Sequence, residues 1–345
     1  MTVLERRRRI SNALSAMLLL GAAMAANAAT TLDGVKARDT VRCGVSVGGI
    51  PGFSQRDATG RWSGIDVDFC RAVAAAALGD ADKVTLVPLR AAARFPALRL
   101  GTIDLLLRNT TWTLSREAGL GVLFAGVLLY DAGGFMVATD SPFQSPEQLS
   151  GITVCVVKGT KYADQLSDWA LAHHLAVQPM AFDAVSDAAT ALFAGRCGAY
   201  NEDTSMLAAV RTTAPPGRSF KILADPASKA PLGPAVRAGD DQWFTLVRWV
   251  LFALIAAEES GFTQHNVAAL HDSTDPMAQR VLRADHDLSR LLGIAPEWAL
   301  RAVQSVGNYG DMFERNLGRD SPLHLERGLN RLWNRGGIMY APPLQ

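Results

Sequence analysis

The stretch "TIDLLLRNTTWTLSR", residues 102–116, places a short apolar run directly before a polar segment. The apolar part is typical of a buried β-strand. The polar part, "RNTTWTLSR" (Arg108 to Arg116), offers four hydroxyl groups, one amide and two guanidinium groups within nine residues. In open α/β sheets, ligands bind beyond the carboxyl ends of the strands. The stretch therefore predicts a strand that ends at a binding site.

The chain around this stretch alternates between strand and helix patterns. In the first unit, the predicted strands are "TVRCGVSVGG", "KVTLVPL" and "TIDLLL", and the predicted helices are "DVDFCRAVAAAALGD" and "AAARFPALRLG". Asp66 or Asp68 is expected to cap the first of these helices, and Gly79 to end it. In the second unit, the strands are "ITVCVVKG" and "GAYNED", and the helices are "YADQLSDWALAHH" and "SDAATALFAGRC". The alternation predicts two α/β units with parallel strand pairing.

Two segments connect these units to each other and to the C-terminal part. "LLYDAGGFMVATD", Leu128 to Asp140, contains paired glycines that suit a chain crossing. After the second unit, "SKAPLGPAVRAG" leads into a long helix, predicted over 241–259, whose apolar residues recur at helical spacing. We expect the remaining helical tail to pack on the body of the protein.

The N-terminus has the pattern of an export signal. Four arginines precede a short apolar run and the small-residue triplet Ala26-Asn27-Ala28, which predicts a signal peptide over residues 1–28, cleaved after Ala28. The alternative is a membrane anchor, but the apolar stretch is short and polar-flanked. Removing residues 1–28 takes away four Arg and one Glu, so the formal net charge changes from +1 to −2. No basic stripe remains, so we expect no nucleic acid partner.

The four cysteines are then expected in an oxidising compartment, where an even number favours disulfides. Their spacing contains no CxxC pair, and no metal site or cofactor is predicted. Of the three possible connectivities, we favour Cys43–Cys70 and Cys155–Cys197, because each closes a local loop and neither joins the two units. The alternative is four buried free thiols.

Charges at the predicted strand ends match one class of ligand. Arg116 stands at the start of a predicted helix, where a guanidinium and free N–H groups suit a carboxylate. Asp203, in "NED" at the end of the second unit, suits an ammonium group. A zwitterion such as an α-amino acid fits both. Taken alone, Arg116 is also compatible with a solvated side chain, Asp203 with a helix cap, and Asn109 and Thr111 with turn positions.

Longer motifs resemble a known family. They are "RNTTWTLSR", "FAGV-LYD-GGFMV", "LFAGRC-AY--D", "LGPAVRAGDDQWF-LVRW-LFALI-AEE-G" and "GNYGDMFERNLG". From about Thr31 to Pro343, the chain is similar to the periplasmic general L-amino-acid-binding proteins of ABC transporters, family 3 of the solute-binding proteins. The resemblance implies an α/β, periplasmic-binding-protein-like (Venus flytrap) fold. Two lobes are joined by a two-stranded hinge, and a helical C-terminal extension follows. It divides the chain into lobe 1 at 29–130 plus 237–345, lobe 2 at 135–230, and hinge crossings at 131–134 and 231–236.

The resemblance also implies roles for individual residues. Arg116 matches the arginine that binds the ligand carboxylate, and Asp203 matches the acid that holds the ammonium group. The other matched positions are Asn109, Thr111 and Thr160, which contribute bonds to the ligand, and Phe53, which lies where the family contacts the side chain.

One departure from the family pattern bears on ligand choice. Where the family usually has "SGTTTE", this chain has "KGTKYA" over 158–163. The change places Lys161 at a position that normally holds a small hydroxyl residue. We expect Lys161 to shift preference toward acidic or amide amino acids, and the alternative is that it points to solvent.

The function implied is ligand binding with closure of the lobes. A monomeric binding protein in the periplasm, without stable membrane insertion, would deliver an L-amino acid to the permease subunits of an ABC transporter. Two other functions use the same fold: a ligand-binding partner of a sensor, and a dehydratase-like enzyme. The enzyme is disfavoured because the sequence lacks a GxSxG elbow or another recognisable acid–base constellation.

Overall fold

The computed structural model describes residues 30–344, except 226–227, 271–273, 275 and 277–285. The predicted signal peptide, residues 1–28, lies outside the described residues.

The first lobe is built on a five-stranded sheet with the order β4-β1-β5-β14-β6. Its strands are β1 (Val41–Ser46), β4 (Val84–Leu89), β5 (Leu105–Leu106), β6 (Val122–Phe124) and β14 (Ala235–Arg237). The pairs β1–β4 and β1–β5 are parallel, as the alternating pattern predicts. The strand predicted from "TIDLLL" is shorter than expected, because Asp104 accepts bonds from the backbone and guanidinium of Arg42.

The second lobe repeats this arrangement in a sheet with the order β10-β9-β11-β8-β12. Its strands are β8 (Gly133–Ala138), β9 (Thr153–Val157), β10 (Gln178–Phe182), β11 (Ala199–Asp203) and β12 (Phe220–Ala224). β9 pairs in parallel with β10 and β11, whereas β8 and β12 are antiparallel. The prediction of two α/β lobes is confirmed.

Two short strands connect the lobes. β7 (Leu129–Asp131) and β13 (Ala230–Leu232) form an antiparallel pair of their own, which we call the hinge pair, with β7 as its first strand and β13 as its second. β7 leads from β6 in the first sheet to β8 in the second, and β13 leads back from β12 to β14. The crossings expected at 131–134 and 231–236 overlap this pair and extend beyond it. A further ribbon, β2 (Gln55–Arg56) with β3 (Trp62–Ser63), lies outside the two main sheets.

The helices cover the sheets and continue beyond the second crossing. They are α1 (Thr31–Arg38), α2 (Ile65–Leu78), α3 (Arg94–Arg99), α4 (Leu114–Leu120), α5 (Lys161–Ala172), α6 (Val185–Phe193), α7 (Thr204–Arg211), α8 (Asp241–Glu259), α9 (His286–Leu292), α10 (Trp298–Val306) and α11 (Tyr309–Asn316). Short 3₁₀ turns lie at Ala91–Ala93, Pro146–Gln148, Val267–Leu270, Gly328–Asn330 and Trp333–Arg335.

The expected cap of α2 was wrong. Gly64 occupies the N-cap, and the helix has no side-chain cap, although Gly79 ends it as predicted. Asp68 instead accepts bonds from Arg315 and Asn316 on α11, each at 2.7 Å. Asp66 bonds to the polar loop after β5 and belongs to the functional site described below.

The C-terminal extension, residues 298–344, packs on the first lobe. α10 lies along α2 and α8, and α11 contacts the same two helices. Its buried apolar residues, including Trp298 and Phe313, share one core with β1 and α8. The expectation that the tail packs on the body agrees with this arrangement.

Both predicted disulfides are present. Cys43 on β1 is bonded to Cys70 on α2, and Cys155 on β9 is bonded to Cys197, with Cα–Cα distances of 6.2 and 5.8 Å. Each bridge lies within one lobe, so neither disulfide joins the two lobes.

Candidate functional site

The two sheets point their carboxyl ends at a shared cleft, across which the lobes are in contact. Arg94 on α3 donates from Nη2 to the carbonyl oxygen of Gly159 in the second lobe, at 3.1 Å. A Cβ atom on Gly159 would lie 2.8 Å from the backbone N and Cα of Ala92. Glycine is required at this position for two reasons: a Cβ atom would clash with Ala92, and the φ of +76° lies in the left-handed region that other residues rarely adopt. The turn Ala91–Ala93 and Arg94, the first residue of α3, thus pack directly against the loop after β9.

The "RNTTWTLSR" loop forms the first-lobe side of the cleft. Asn109 adopts a φ of 34°, which asparagine tolerates better than most residues, and its N–H donates to Oδ2 of Asp66 at 3.2 Å. Thr113 caps α4, because its hydroxyl oxygen accepts a hydrogen bond from the backbone N–H of Arg116. Asn109 Oδ1 is buried and has no hydrogen-bond partner among the described residues.

Arg116 is folded back into the cleft by this loop. Its Nη1 donates to the carbonyl oxygen of Thr111 at 2.8 Å, and its guanidinium lies 5.4 Å from the ring centre of Phe95. The side chain is only 8% exposed, so the interpretation of Arg116 as a solvated surface residue is wrong. A guanidinium held in this way is pre-oriented for a planar carboxylate.

A cavity of about 360 Å³ opens beside Arg116 and is lined by both lobes. First-lobe residues on its wall come from α3, α4 and the turns before them: Ala91, Ala92, Phe95, Thr113, Ser115, Arg116 and Leu120. Second-lobe residues come from the loop after β9 and from α5: Gly159, Lys161, Asp164 and Gln165. Its size lies within the range of small-molecule sites in proteins.

Asp203 faces this region from the end of β11. It is 2% exposed, and its Oδ1 accepts a hydrogen bond from the Tyr162 hydroxyl at 2.5 Å. Asp203 occupies the N-cap position of α7, but its side chain makes no capping bond, so the cap interpretation fails. Burial raises the pKa of Asp203 well above its ordinary value, and the neighbouring carboxylates of Glu202 and Asp131 raise it further. A cation placed beside Asp203 would relieve this cost.

Electrostatic coupling joins the two faces. Burial lowers the pKa of Arg116, while the carboxylates of Asp203, Asp164 and Glu202 across the cleft oppose that shift. Arg116 and Asp203 are therefore brought into one cleft from opposite lobes, as the charge pattern predicts. An arginine keeps its proton in such surroundings, because its reference pKa is so high.

Lys161 is not directed to solvent. It is 8% exposed, its Nζ donates to the carbonyl oxygen of Lys229 at 2.8 Å, and it lies 4.7 Å from the ring centre of Tyr162. Thr160 caps α5 by accepting from Ala163, and its hydroxyl donates to the carbonyl oxygen of Val157. Both residues lie at the cleft end of α5, where Lys161 shares the cavity wall with Arg116.

Phe53 lies in the core of the first lobe and not on the wall of the cavity beside Arg116. It is 2% exposed and packs in the first-lobe core together with β1, α2 and α8. The neighbouring loop, 47–51, instead lines a second interlobe cavity of about 530 Å³. Its other wall is formed mainly by apolar residues of α6, the end of α7 and the segments that follow these helices: Val185, Ser186, Ala189, Thr190, Phe193, Ala194, Val210, Thr213 and Pro215.

Several charged residues of the cleft were missed by sequence reasoning. Arg94 and Arg108 are buried on the first-lobe side, where burial lowers the pKa of each. Glu202 is buried beside Asp203. Burial raises the pKa of Asp66 to about 7, although Asn109 and Arg108 oppose the shift. The sequence did contain an indication for Glu202. A carboxylate at the end of a buried strand is seldom buried without a partner, and buried charges of this kind concentrate at functional sites.

Within the part of the chain described, no group of three or more His, Cys, Asp or Glu side chains is placed to hold a metal ion. The described helices likewise include none that is long and apolar enough to cross a membrane.

Comparison with known proteins agrees with this geometry. Residues 41–264 match the bacterial extracellular solute-binding proteins, family 3. The chain belongs to this family. This solute-binding protein is 46% identical to the General L-amino acid-binding periplasmic protein AapJ of Rhizobium johnstonii, over 99% of this chain and 100% of the relative. It is 43% identical to the Glutamate/glutamine/aspartate/asparagine-binding protein BztA of Rhodobacter capsulatus, over 96% of each chain.

A solved structure extends the likeness to three dimensions. An ABC transporter periplasmic binding protein from Brucella ovis, with glutathione bound, superposes with a TM-score of 0.88 at 42% identity. The alignment covers 92% of this chain and 100% of that one. The periplasmic-binding-protein fold implied by the resemblance is confirmed for this solute-binding protein.

Proposed function

We propose that this protein is the periplasmic substrate-binding component of an ABC transporter, which binds L-amino acids in the cleft and delivers them to a membrane permease. The observation that carries the proposal is a buried guanidinium, Arg116, on one lobe and a buried carboxylate, Asp203, on the other. The names of the relatives, which are amino-acid-binding or ABC transporter proteins, support it.

In this proposal, Arg116 binds the ligand carboxylate and Asp203 binds its ammonium group, with Asn109, Thr111 and Thr160 supplying further bonds. The lobes divide at the hinge pair, with 29–130 and 237–345 on one side and 135–230 on the other. A ligand that touches both lobes favours the closed state through its differential affinity for that state. The closed, monomeric protein is then recognised by the permease.

Acidic and amide amino acids are the proposed preference. Arg94 Nε is buried and has no hydrogen-bond partner among the described residues, which leaves a charged donor for a second carboxylate or a carbonyl. Lys161 adds a second positive charge on the cavity wall. Phe53 is proposed to shape the side-chain pocket from the core beneath it.

Glutathione is a second candidate ligand. Its γ-glutamyl end carries the same α-ammonium and α-carboxylate groups as glutamate, and the Brucella ovis structure contains it. The 360 Å³ cavity beside Arg116 offers room for the rest of the molecule.

Binding is favoured over catalysis because the relatives with the highest identity are solute-binding proteins. Delivery to a sensor remains the alternative use of the same cleft, and it differs in partner and not in ligand.

The test is thermal unfolding of the mature protein, refolded to remove bound ligand, with each of the twenty L-amino acids and with glutathione. A ligand that binds only the folded state raises the unfolding temperature by mass action. We expect shifts for several amino acids, largest for glutamate, aspartate and their amides, and their loss in Arg116→Ala. No shift with any of these ligands would contradict the proposal.

A Lys161→Thr variant separates the role of Lys161 from the rest. It restores the small hydroxyl residue usual in the family, and we expect it to weaken glutamate more than alanine. Equal affinity changes for the two ligands would remove Lys161 from ligand selection.

A further inference from the structure

The C-terminal extension holds the first hinge strand at its free edge. Asn330, buried in the turn Gly328–Asn330, donates from Nδ2 to the carbonyl oxygen of Tyr130 at 2.9 Å. Its Oδ1 accepts the N–H of Tyr130 at 2.7 Å. Tyr130 lies opposite Pro231, which has no N–H to donate. The backbone N–H and C=O groups of Tyr130 face away from β13, at a position of the ladder where opposite residues do not bond to each other. The amide of Asn330 therefore bonds to β7 as a neighbouring strand would.

Asn330 is itself anchored in the first lobe. Arg327 donates to the carbonyl oxygen of Asn330 at 2.7 Å and forms a bidentate ion pair with Glu258 on α8, at 2.7 and 3.0 Å. Tyr309 on α11 donates to the carbonyl oxygen of Leu128, just before the hinge strand, at 2.9 Å. The extension thus links the hinge to the longest helix of the first lobe.

The second hinge strand is held to the same lobe by the ligand loop. The N–H of Trp112 donates to the carbonyl oxygen of Pro231 at 2.8 Å, and the N–H of Gly233 donates to that of Thr110 at 3.0 Å. The hinge pair consequently lies between Asn330 on one edge and the "RNTTWT" segment on the other.

The next residue along β7 belongs to the second lobe. Asp131 accepts bonds from the Thr204 hydroxyl at 2.5 Å, from the backbone of Ser205 at 3.2 Å, and from the Ser205 hydroxyl. These residues begin α7, whose N-cap is Asp203. Just before the returning strand β13, the carbonyl oxygen of Lys229 accepts a hydrogen bond from Lys161 of the second lobe. Attachment changes from one lobe to the other between residues 130 and 131 and between 229 and 231.

We propose that Asn330 is a positioning residue for ligand binding. By fixing Tyr130 to the first lobe, it confines the pivot of closure to these two junctions, so that Asp203 approaches Arg116 along one path. The inference rests on the proposed function, in which one ligand contacts both lobes. It gives a role to a segment outside the residues that match the family, 41–264. Without the hydrogen bonds from Asn330, β7 is free to move in the open state. Ordering β7 on closure then costs entropy and opposes ligand binding.

The test compares Asn330→Ala with Asn334→Ala in the mature protein. Asn334 is exposed on the next turn of the extension, so the two variants make the same chemical change with and without the hinge contact. Distances between spin labels at Leu100 and Leu171, both strongly exposed and on different lobes, report closure. We expect Asn330→Ala to broaden the ligand-free distance distribution and to weaken binding of the best amino acid about tenfold. Asn334→Ala is expected to match the wild type.

Asn330→Asp provides a second variant in case the alanine variant fails to fold. It keeps the acceptor for the Tyr130 N–H but loses the donor to its carbonyl oxygen, so an intermediate broadening is expected. A wild-type distance distribution in Asn330→Ala, or in Asn330→Asp if only that variant folds, overturns the proposal. The distance distribution is measured without ligand. It therefore tests the role of Asn330 even if the amino acid screen finds no ligand and the proposed function fails.

Discussion

The first-lobe face of the cleft is cationic, and the second-lobe face is anionic. Arg94, Arg108 and Arg116 are buried on the first, while Glu202 and Asp203 are buried on the second. A buried charge without a partner is costly, and each face alone carries an excess of one sign. The difference explains how two separate sheets recognise one small molecule: a ligand with one charge of each sign compensates both faces only when the lobes are together.

Removing the guanidinium of Arg116 is expected to have the largest effect on amino acid affinity. Arg116→Ala should reduce amino acid affinity by about 4 kcal/mol, roughly a thousandfold, because it leaves the ligand carboxylate without its bidentate partner. Calorimetric titration measures the loss. Arg116→Lys is the control, since it keeps the charge but not the planar fork, and it should lie between the two. Wild-type affinity in Arg116→Ala would place the carboxylate elsewhere.

Neutralising the opposite face should have a smaller and more selective effect. Asp203→Asn is expected to weaken amino acids by about 3 kcal/mol, because the ammonium loses a charged hydrogen-bond partner. A 2-oxo acid with the same side chain lacks the amine and should lose nothing in this variant, yet it should lose binding in Arg116→Ala. An equal loss for the amino acid and the oxo acid would mean that Asp203 does not bind the amine.

Arg94 sharpens the comparison within the cationic face. Arg94→Met should reduce glutamate affinity by about 2 kcal/mol and alanine affinity by about 1 kcal/mol. With either ligand, the closed protein loses the hydrogen bond between Arg94 and Gly159 that joins the lobes. Only glutamate also loses a partner for its side chain. Equal changes for both ligands, measured by the same titration, would restrict Arg94 to joining the lobes.

The pH dependence of binding tests the anionic face without mutation. Burial raises the pKa of Asp203 in the ligand-free site, and a bound ammonium group would lower it again, so binding should release protons at pH values between the two. Affinity should then rise with pH, by at most about 1.4 kcal/mol per unit, until pH exceeds that pKa. Titrations in buffers of different ionisation enthalpy would detect the released proton. Asp203→Asn should show neither the slope nor the release.

The sequence was informative where charge coincided with a strand end. Arg116 and Asp203 were predicted because each follows a recognisable strand, and the ends of such strands meet in this fold. Arg94 was missed because its helix begins in an apolar pattern, and only the packing of the lobes brings it against Gly159. The direction of Lys161 depends on the carbonyl of Lys229, 68 residues away, which no local pattern encodes. The expected cap of α2 failed for the same reason, since Asp66 and Asp68 bond to distant segments.

The two disulfides have a consequence for biogenesis. Each bridge joins cysteines that are consecutive along the chain, Cys43 with Cys70 and Cys155 with Cys197. If the chain is exported as its N-terminal pattern predicts, an oxidant that acts while the polypeptide emerges from the export channel would meet the first pair before the third thiol arrives. Native pairing then follows the order in which the cysteines emerge, and mispaired bridges have little opportunity to form. We therefore expect the same yield of folded protein from cells with and without a disulfide isomerase.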